Sequence, residues 1–113
     1  MMKIGWDVEE LVALIDIYRN SSEKSAAQIE KELLTLSYVL IRRANTLGIA
    51  HDEKFRNLNG MKMMYQNVIY LATEGEIGMS SVSSSMRKVY GLLLSTPEVF
   101  DLILDEFNTH YSR

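Results

Sequence analysis

The chain has no cysteine, one proline and two histidines among its 113 residues. Without a thiol there is no disulfide scaffold, no thiolate metal site and no cysteine nucleophile. One proline and six glycines leave long stretches free of breakers, which favours helices over many short strands. Apolar runs are short, as in Gly91-Leu-Leu-Leu94, far below the roughly 20 residues of a membrane span. No basic start followed by an apolar stretch of roughly 7–15 residues opens the chain, so no signal peptide is expected and the expected compartment is the cytoplasm. His51 and His110 lie far apart in sequence, so no shared metal or acid–base site is expected from them. No cofactor is expected.

What is present is ordinary globular material: 47% hydrophobic and 24% charged residues, enough for one modest core. The expectation is a single domain over 1–113. The net charge of −3 hides an uneven distribution. Residues 1–40 and 91–113 each carry a net −3, and residues 41–90 carry a net +3. A basic middle can form one positive face for a phosphate backbone. Alternatively, it pairs with the acidic ends after folding.

Helical periodicity runs through the whole chain. Asp7 and Glu10 have capping-box spacing at the start of a helix over 7–19, with Val8, Leu11, Val12, Ile15 and Tyr18 on one face. Trp6 precedes the cap, placed to staple against the first turn. Ser25 and Gln28 repeat the spacing before the longest helix, about 26–47. Its Ile29, Leu33, Leu36, Leu40, Ala44 and Leu47 recur at intervals of four and three, suited to a core spine or to a partner's helix. Gly48 reads as its left-handed end. A third helix covers about 57–72, capped by Asn57 or Asn59. A turn-rich loop at 73–78 and a serine cluster lead to a fourth helix bearing Val82, Met86, Val89, Tyr90 and Leu93. Thr96-Pro97-Glu98 announces a fifth, with Thr96 as its N-cap, Pro97 at the first helical position and Val99, Leu102, Ile103 and Phe107 as its buried stripe. The fold class is all-α, a single compact bundle of about five helices.

The densest group of functional residue types is Lys54-Phe-Arg-Asn-Leu-Asn-Gly60 followed by Met61-Lys62. Helix-start N–H groups favour a phosphate. Lys54 and Arg56 add charge, and Asn57 or Asn59 can position a backbone or meet a base edge. Equally, the segment reads as a well-capped helix whose Phe55 anchors the preceding loop. Arg42 and Arg43 can meet phosphates or favour the negative end of their own helix. Met63 lies off the apolar face of its helix, a candidate for an adaptable protein-binding surface. The serines lack a G-x-S-x-G turn and no Gly-rich phosphate loop is present, so no enzyme activity is expected.

Three segments together resemble a known family. They are Trp6-Asp-Val-Glu-Glu-Leu11 with Tyr18, Phe55-Arg-Asn-Leu-Asn-Gly-Met61 with Met64 and Asn67, and Gly78-Met-Ser with Val89-Tyr90, Pro97 and Phe100. In order and spacing they resemble the small helical N-terminal (head) domain of HNH-type, McrA-like restriction endonucleases. The resemblance implies a module of restriction and defence systems that helps a nuclease engage DNA or a partner. It places the functional patch on Phe55, Arg56, Asn57, Asn59 and Gly60. Leu58 stands where the family pattern has proline, and Val68-Ile69 replaces an aromatic–basic continuation. No His-Asn-His arrangement follows, so nuclease activity does not carry over.

The reading is a non-catalytic binding module that engages the DNA backbone through Arg42, Arg43, Lys54, Arg56 and Lys62. The alternative is a protein–protein module, subunit or inhibitor, docking on a restriction or other defence protein without DNA affinity. The long helix also makes a homodimer a reasonable arrangement.

Overall fold

A computed structural model describes residues 4–111 and contains five helices, with no strand among those residues. They are α1 (Val8–Arg19), α2 (Ala26–Thr46), α3 (Leu58–Ala72), α4 (Ser84–Ser95) and α5 (Pro97–Tyr111). The expected all-α bundle is the observed fold. No helix is long and apolar enough to cross a membrane among the described residues.

Local chemistry sets most of the boundaries. Asp7 accepts from the Glu10 N–H at 3.0 Å, and the Glu10 carboxylate accepts from the Asp7 N–H at 3.0 Å. Ser25 and Gln28 make the same reciprocal pair at the start of α2, so orphan N–H groups are satisfied at both helix starts. Asn57, rather than Asn59, caps α3 by accepting from the Gly60 N–H at 2.8 Å. At the end of α2, Gly48 has φ +72°. The Gly48 N–H donates to the Asn45 carbonyl and the Ile49 N–H to the Ala44 carbonyl, the paired pattern of a glycine-terminated helix. Thr96 departs from expectation. Its hydroxyl donates to the Leu92 carbonyl, closing α4, while its own carbonyl accepts the first N–H groups of α5.

α1 is the axis of the bundle and touches each of the other four helices. That position explains a departure from the one-face pattern. Leu11 through Ile15 are all buried, so α1 is enclosed around its middle, while Val8 at its start is exposed. The stripe of α2 is buried through Ala44, but Leu47 has left it and stands in solvent at the helix end. In α5 the buried residues are Phe100 and Phe107, with Ile103 and Leu104 partly covered. Val99 and Leu102, expected inside, are exposed, because α4 and α1 meet the Phe100 side of the helix.

Arg19 at the end of α1 bonds Asp101 in the first half of α5, and Arg43 near the end of α2 bonds Asp7 at the start of α1. α2 and α5 therefore both run antiparallel to α1. The core is one cluster fed by all five helices, with Leu11, Leu14, Met61, Met86 and Phe100 fully enclosed. Truncating Leu14 to alanine is expected to cost about 2–5 kcal/mol in urea unfolding, while Leu102→Ala stays within about 0.5 kcal/mol.

Candidate functional site

The loop from Leu47 to Asn57 carries most of the candidate residues and is built by local hydrogen bonds. Asp52 accepts from the Lys54 N–H through its carboxylate and from the Phe55 N–H through its carbonyl. The Asn57 N–H donates to the Lys54 carbonyl at 3.2 Å, and between them Arg56 adopts φ +50°. A left-handed arginine is unfavourable by itself and persists where its surroundings fix it. Here the Ser37 hydroxyl of α2 donates to the Arg56 carbonyl, and the side chain is held more firmly still.

The Arg56 guanidinium turns inward. Its Nε and one terminal nitrogen donate to the two Glu10 carboxylate oxygens at 2.8 and 2.9 Å. The same terminal nitrogen donates to the Gly5 carbonyl at 2.9 Å, and the other to the Ile4 carbonyl at 3.3 Å. Its guanidinium carbon lies over both the Trp6 ring, 4.6 Å from its centre, and the Phe55 ring, 4.4 Å from its centre. Both members of the pair are buried, with Arg56 9% and Glu10 3% exposed. A buried ion pair needs this density of hydrogen bonds to offset desolvation. The planar fork and aromatic stacking are properties of arginine that lysine lacks.

The neighbouring arginines of α2 separate. Arg42 is exposed and donates to the Tyr111 carbonyl at 3.0 Å, tying the ends of α2 and α5 together. Arg43 is buried, paired with Asp7 at 2.9 Å and Glu9 at 2.8 Å, and lies under the Tyr111 ring. Burial works against its charge, but the hydrogen bonds and charges of Asp7 and Glu9 outweigh that, and its pKa is raised. Lys62 is exposed and bonds Glu30 of α2 at 2.8 Å.

Of the other candidates, Phe55 is buried, and the ring of His51 stacks on it at 4.7 Å. Both His51 ring nitrogens have neighbours, the Asn45 side-chain oxygen at 2.8 Å and the Asp52 carbonyl at 3.0 Å. Asn57 is occupied as the α3 cap, and Gly60 lies against it: a Cβ there would sit 3.3 Å from the Asn57 side-chain oxygen. Asn59 and Lys54 face solvent. Thus the structure gathers Phe55, Arg56 and Asn57 around a structural junction, and leaves Arg42, Lys54, Asn59 and Lys62 on the outside. No group of three metal-ligating side chains converges among the described residues.

Two hollows flank the bundle. Because α2 and α5 splay on either side of α1, a groove of about 410 Å³ opens between them, lined by Ala13, Ile17, Leu36, Val39, Leu104 and Phe107 together with the polar Asp16, Lys31, Glu32, Thr35 and Asn108. A shallower one of about 340 Å³ lies between α2 and α3 around Ile29, Leu33 and Tyr65, with the Glu30–Lys62 pair at its edge.

The segment after α3, expected only as a turn-rich loop at 73–78, holds Ile77 and the adjoining Met79 in solvent; two large apolar residues in a stretch of Gly, Glu and Thr are the signal for it in the sequence.

Comparison with protein-family models, curated proteins and solved structures found no match to this chain. The likeness to the nuclease head domain rests on the quoted residues alone.

The inward and outward arginines should separate in stability measurements. Arg43→Ala is expected to cost about 1–3 kcal/mol, because it removes a buried side chain packed on Tyr111 and leaves the partly exposed Asp7 and Glu9 without their cation. Arg42→Ala, at an exposed contact, should stay within about 0.5 kcal/mol in the same urea titration.

Proposed function

We propose that this chain is a non-catalytic protein-interaction module, of the kind that docks on a restriction or other defence protein as subunit or inhibitor. The observation that carries this reading is the disposition of the basic middle. Arg43 pairs with Asp7 and Glu9, Arg56 with Glu10, and Lys62 with Glu30, while Arg42 bonds the carbonyl of Tyr111. Of the seven cations between residues 41 and 90, Arg43, Arg56 and Lys62 are ion-paired and Arg42 meets a backbone carbonyl, while Lys54, Arg87 and Lys88 are exposed without an ion pair among the described residues. A duplex that bound here would have to compete with carboxylates already in place, and for Arg43 and Arg56 it would have to unpack the junction of α1, α2 and α3. Phosphate-driven affinity depends on how many cations neutralise the backbone, and the buried Arg43 and Arg56 are withdrawn from that number.

The surface that remains is suited to protein recognition. A groove of mixed apolar and polar lining and scattered exposed apolar side chains offer area, and the paired charges lower the cost of approach for a neutral or mixed surface.

Gel shift with unmodified and methylated duplex at about 50 mM salt tests this directly. No shift is expected for either duplex. A shift that fades steeply with added salt and weakens in the Arg42→Ala, Lys54→Ala double variant would instead establish DNA binding and overturn the proposal.

A further inference from the structure

Three large apolar side chains that belong to no core face stand in solvent around α3: Met63 is 55% exposed, Ile77 62% and Met79 41%. Met63 is on the helix, and the other two are in the loop that follows it. The Met79 N–H donates to the Gln66 carbonyl at 3.2 Å. Gly78 lies so close to α3 that a Cβ there would be 2.4 Å from the Gln66 carbonyl oxygen and 2.7 Å from the Tyr70 nitrogen. The loop is therefore laid back along the helix surface at Gln66 and Tyr70. Those two residues are four apart and share a face, and Met63 occupies the same face one turn earlier. Loop and helix thereby bring Met79 beside the Gln66 turn, one turn from Met63, although the residues are separate in sequence.

The arrangement is fixed from within. The Gly75 N–H donates to the Tyr70 carbonyl at 2.8 Å, and the Thr73 hydroxyl oxygen accepts from the Ile77 N–H at 3.2 Å. Gly75 at φ +87° and Gly78 at φ +96° supply the left-handed turns. On either side of Gly75 stand Glu74 and Glu76, both exposed and without an ion pair among the described residues. The cation beside Met63, Lys62, is held on the α2 side by Glu30.

We propose that Met63, Ile77 and Met79, rimmed by Glu74 and Glu76, form the docking surface for a basic amphipathic helix of a partner protein. The inference rests on the interaction-module reading and adds the place and the partner's chemistry. Methionine side chains are unbranched and polarisable, so they fit aliphatic anchors of varied shape. An amphipathic helix presents aliphatic anchors along one face, the form of partner that lays its apolar stripe against such a surface. The two unpaired carboxylates select lysine or arginine beside that stripe and disfavour an acidic segment.

The protein labelled with ¹³C at its methionine methyl groups provides the test, because the seven methionines include internal controls. The probe is a helical Leu/Lys peptide of about 18 residues with leucine at helical spacing. Its addition should move the Met63 and Met79 methyl signals and leave those of Met61 and Met86, both fully buried, in place. A Leu/Glu peptide of the same pattern should move neither. Met63→Gln with Met79→Gln, and separately Glu74→Lys with Glu76→Lys, should each weaken the Leu/Lys complex at least about tenfold. Unchanged Met61 and Met86 signals in those variants report that the fold is intact. The proposal is overturned if the Leu/Glu peptide binds as well, if the variants bind unchanged, or if Met63 and Met79 do not respond. Should they fail to respond while duplex DNA also fails to bind, this surface is wrong and the interaction-module reading stands.

Discussion

The buried pair between Arg56 and Glu10 is the constraint on which the rest of the structure depends. Glu10 completes the α1 cap with one oxygen and grips Arg56 with both. Arg56 in turn holds the backbone at Ile4 and Gly5, lies over the rings of Trp6 and Phe55, and receives the Ser37 hydroxyl on its carbonyl. One residue thereby fixes the chain entering α1, the middle of α2 and the start of α3. Its left-handed backbone is tolerated because these contacts determine it from several sides. Removing either charge leaves the other buried without its partner, which is far costlier than the net worth of the intact pair.

From this junction the treatment of charge follows. Acidic ends and a basic middle are separate in sequence but adjacent in the bundle, because α2 runs antiparallel to α1 and brings Arg43 to Asp7 and Glu9. The same packing returns Lys62 to Glu30 and sets Arg42 on the last described carbonyl of α5. Arg43, Arg56 and Lys62, which look available in one dimension, are engaged in three. That is the physical basis for preferring a protein partner over a phosphate backbone, and for looking to apolar surface, rather than cations, for the recognition element.

The helices were legible because their signals are local. Two capping boxes, the Asn57 cap and the Gly48 terminator act within a few residues, and each operates as its residue type implies. Orientation was less legible where it depended on the neighbours. Arg42 and Arg43 are adjacent and chemically identical; the 100° step between them puts one in solvent and the other against α1. The spacing held a clue, since Arg43 lies three residues after Leu40 and seven after Leu36 and so on the edge of the buried stripe. Val99 and Leu102 fit a helical stripe as well as Phe100 and Phe107 do, and only the positions of α1 and α4 decide which side is covered. The Met63, Ile77 and Met79 surface was legible only in part, through Met63, because it depends on a loop folding back over its own helix.

A double-mutant cycle on Glu10 and Arg56 tests the central claim most directly. Glu10→Ala, Arg56→Ala and the combined variant are compared with the parent protein in urea unfolding. Each single substitution should cost about 3–5 kcal/mol. The combined variant should cost well below the sum of the two, a coupling of at least about 2 kcal/mol. Costs that add to within about 0.5 kcal/mol would mean that Arg56 is not bound to Glu10, and the account of an inward-turned basic segment would fall.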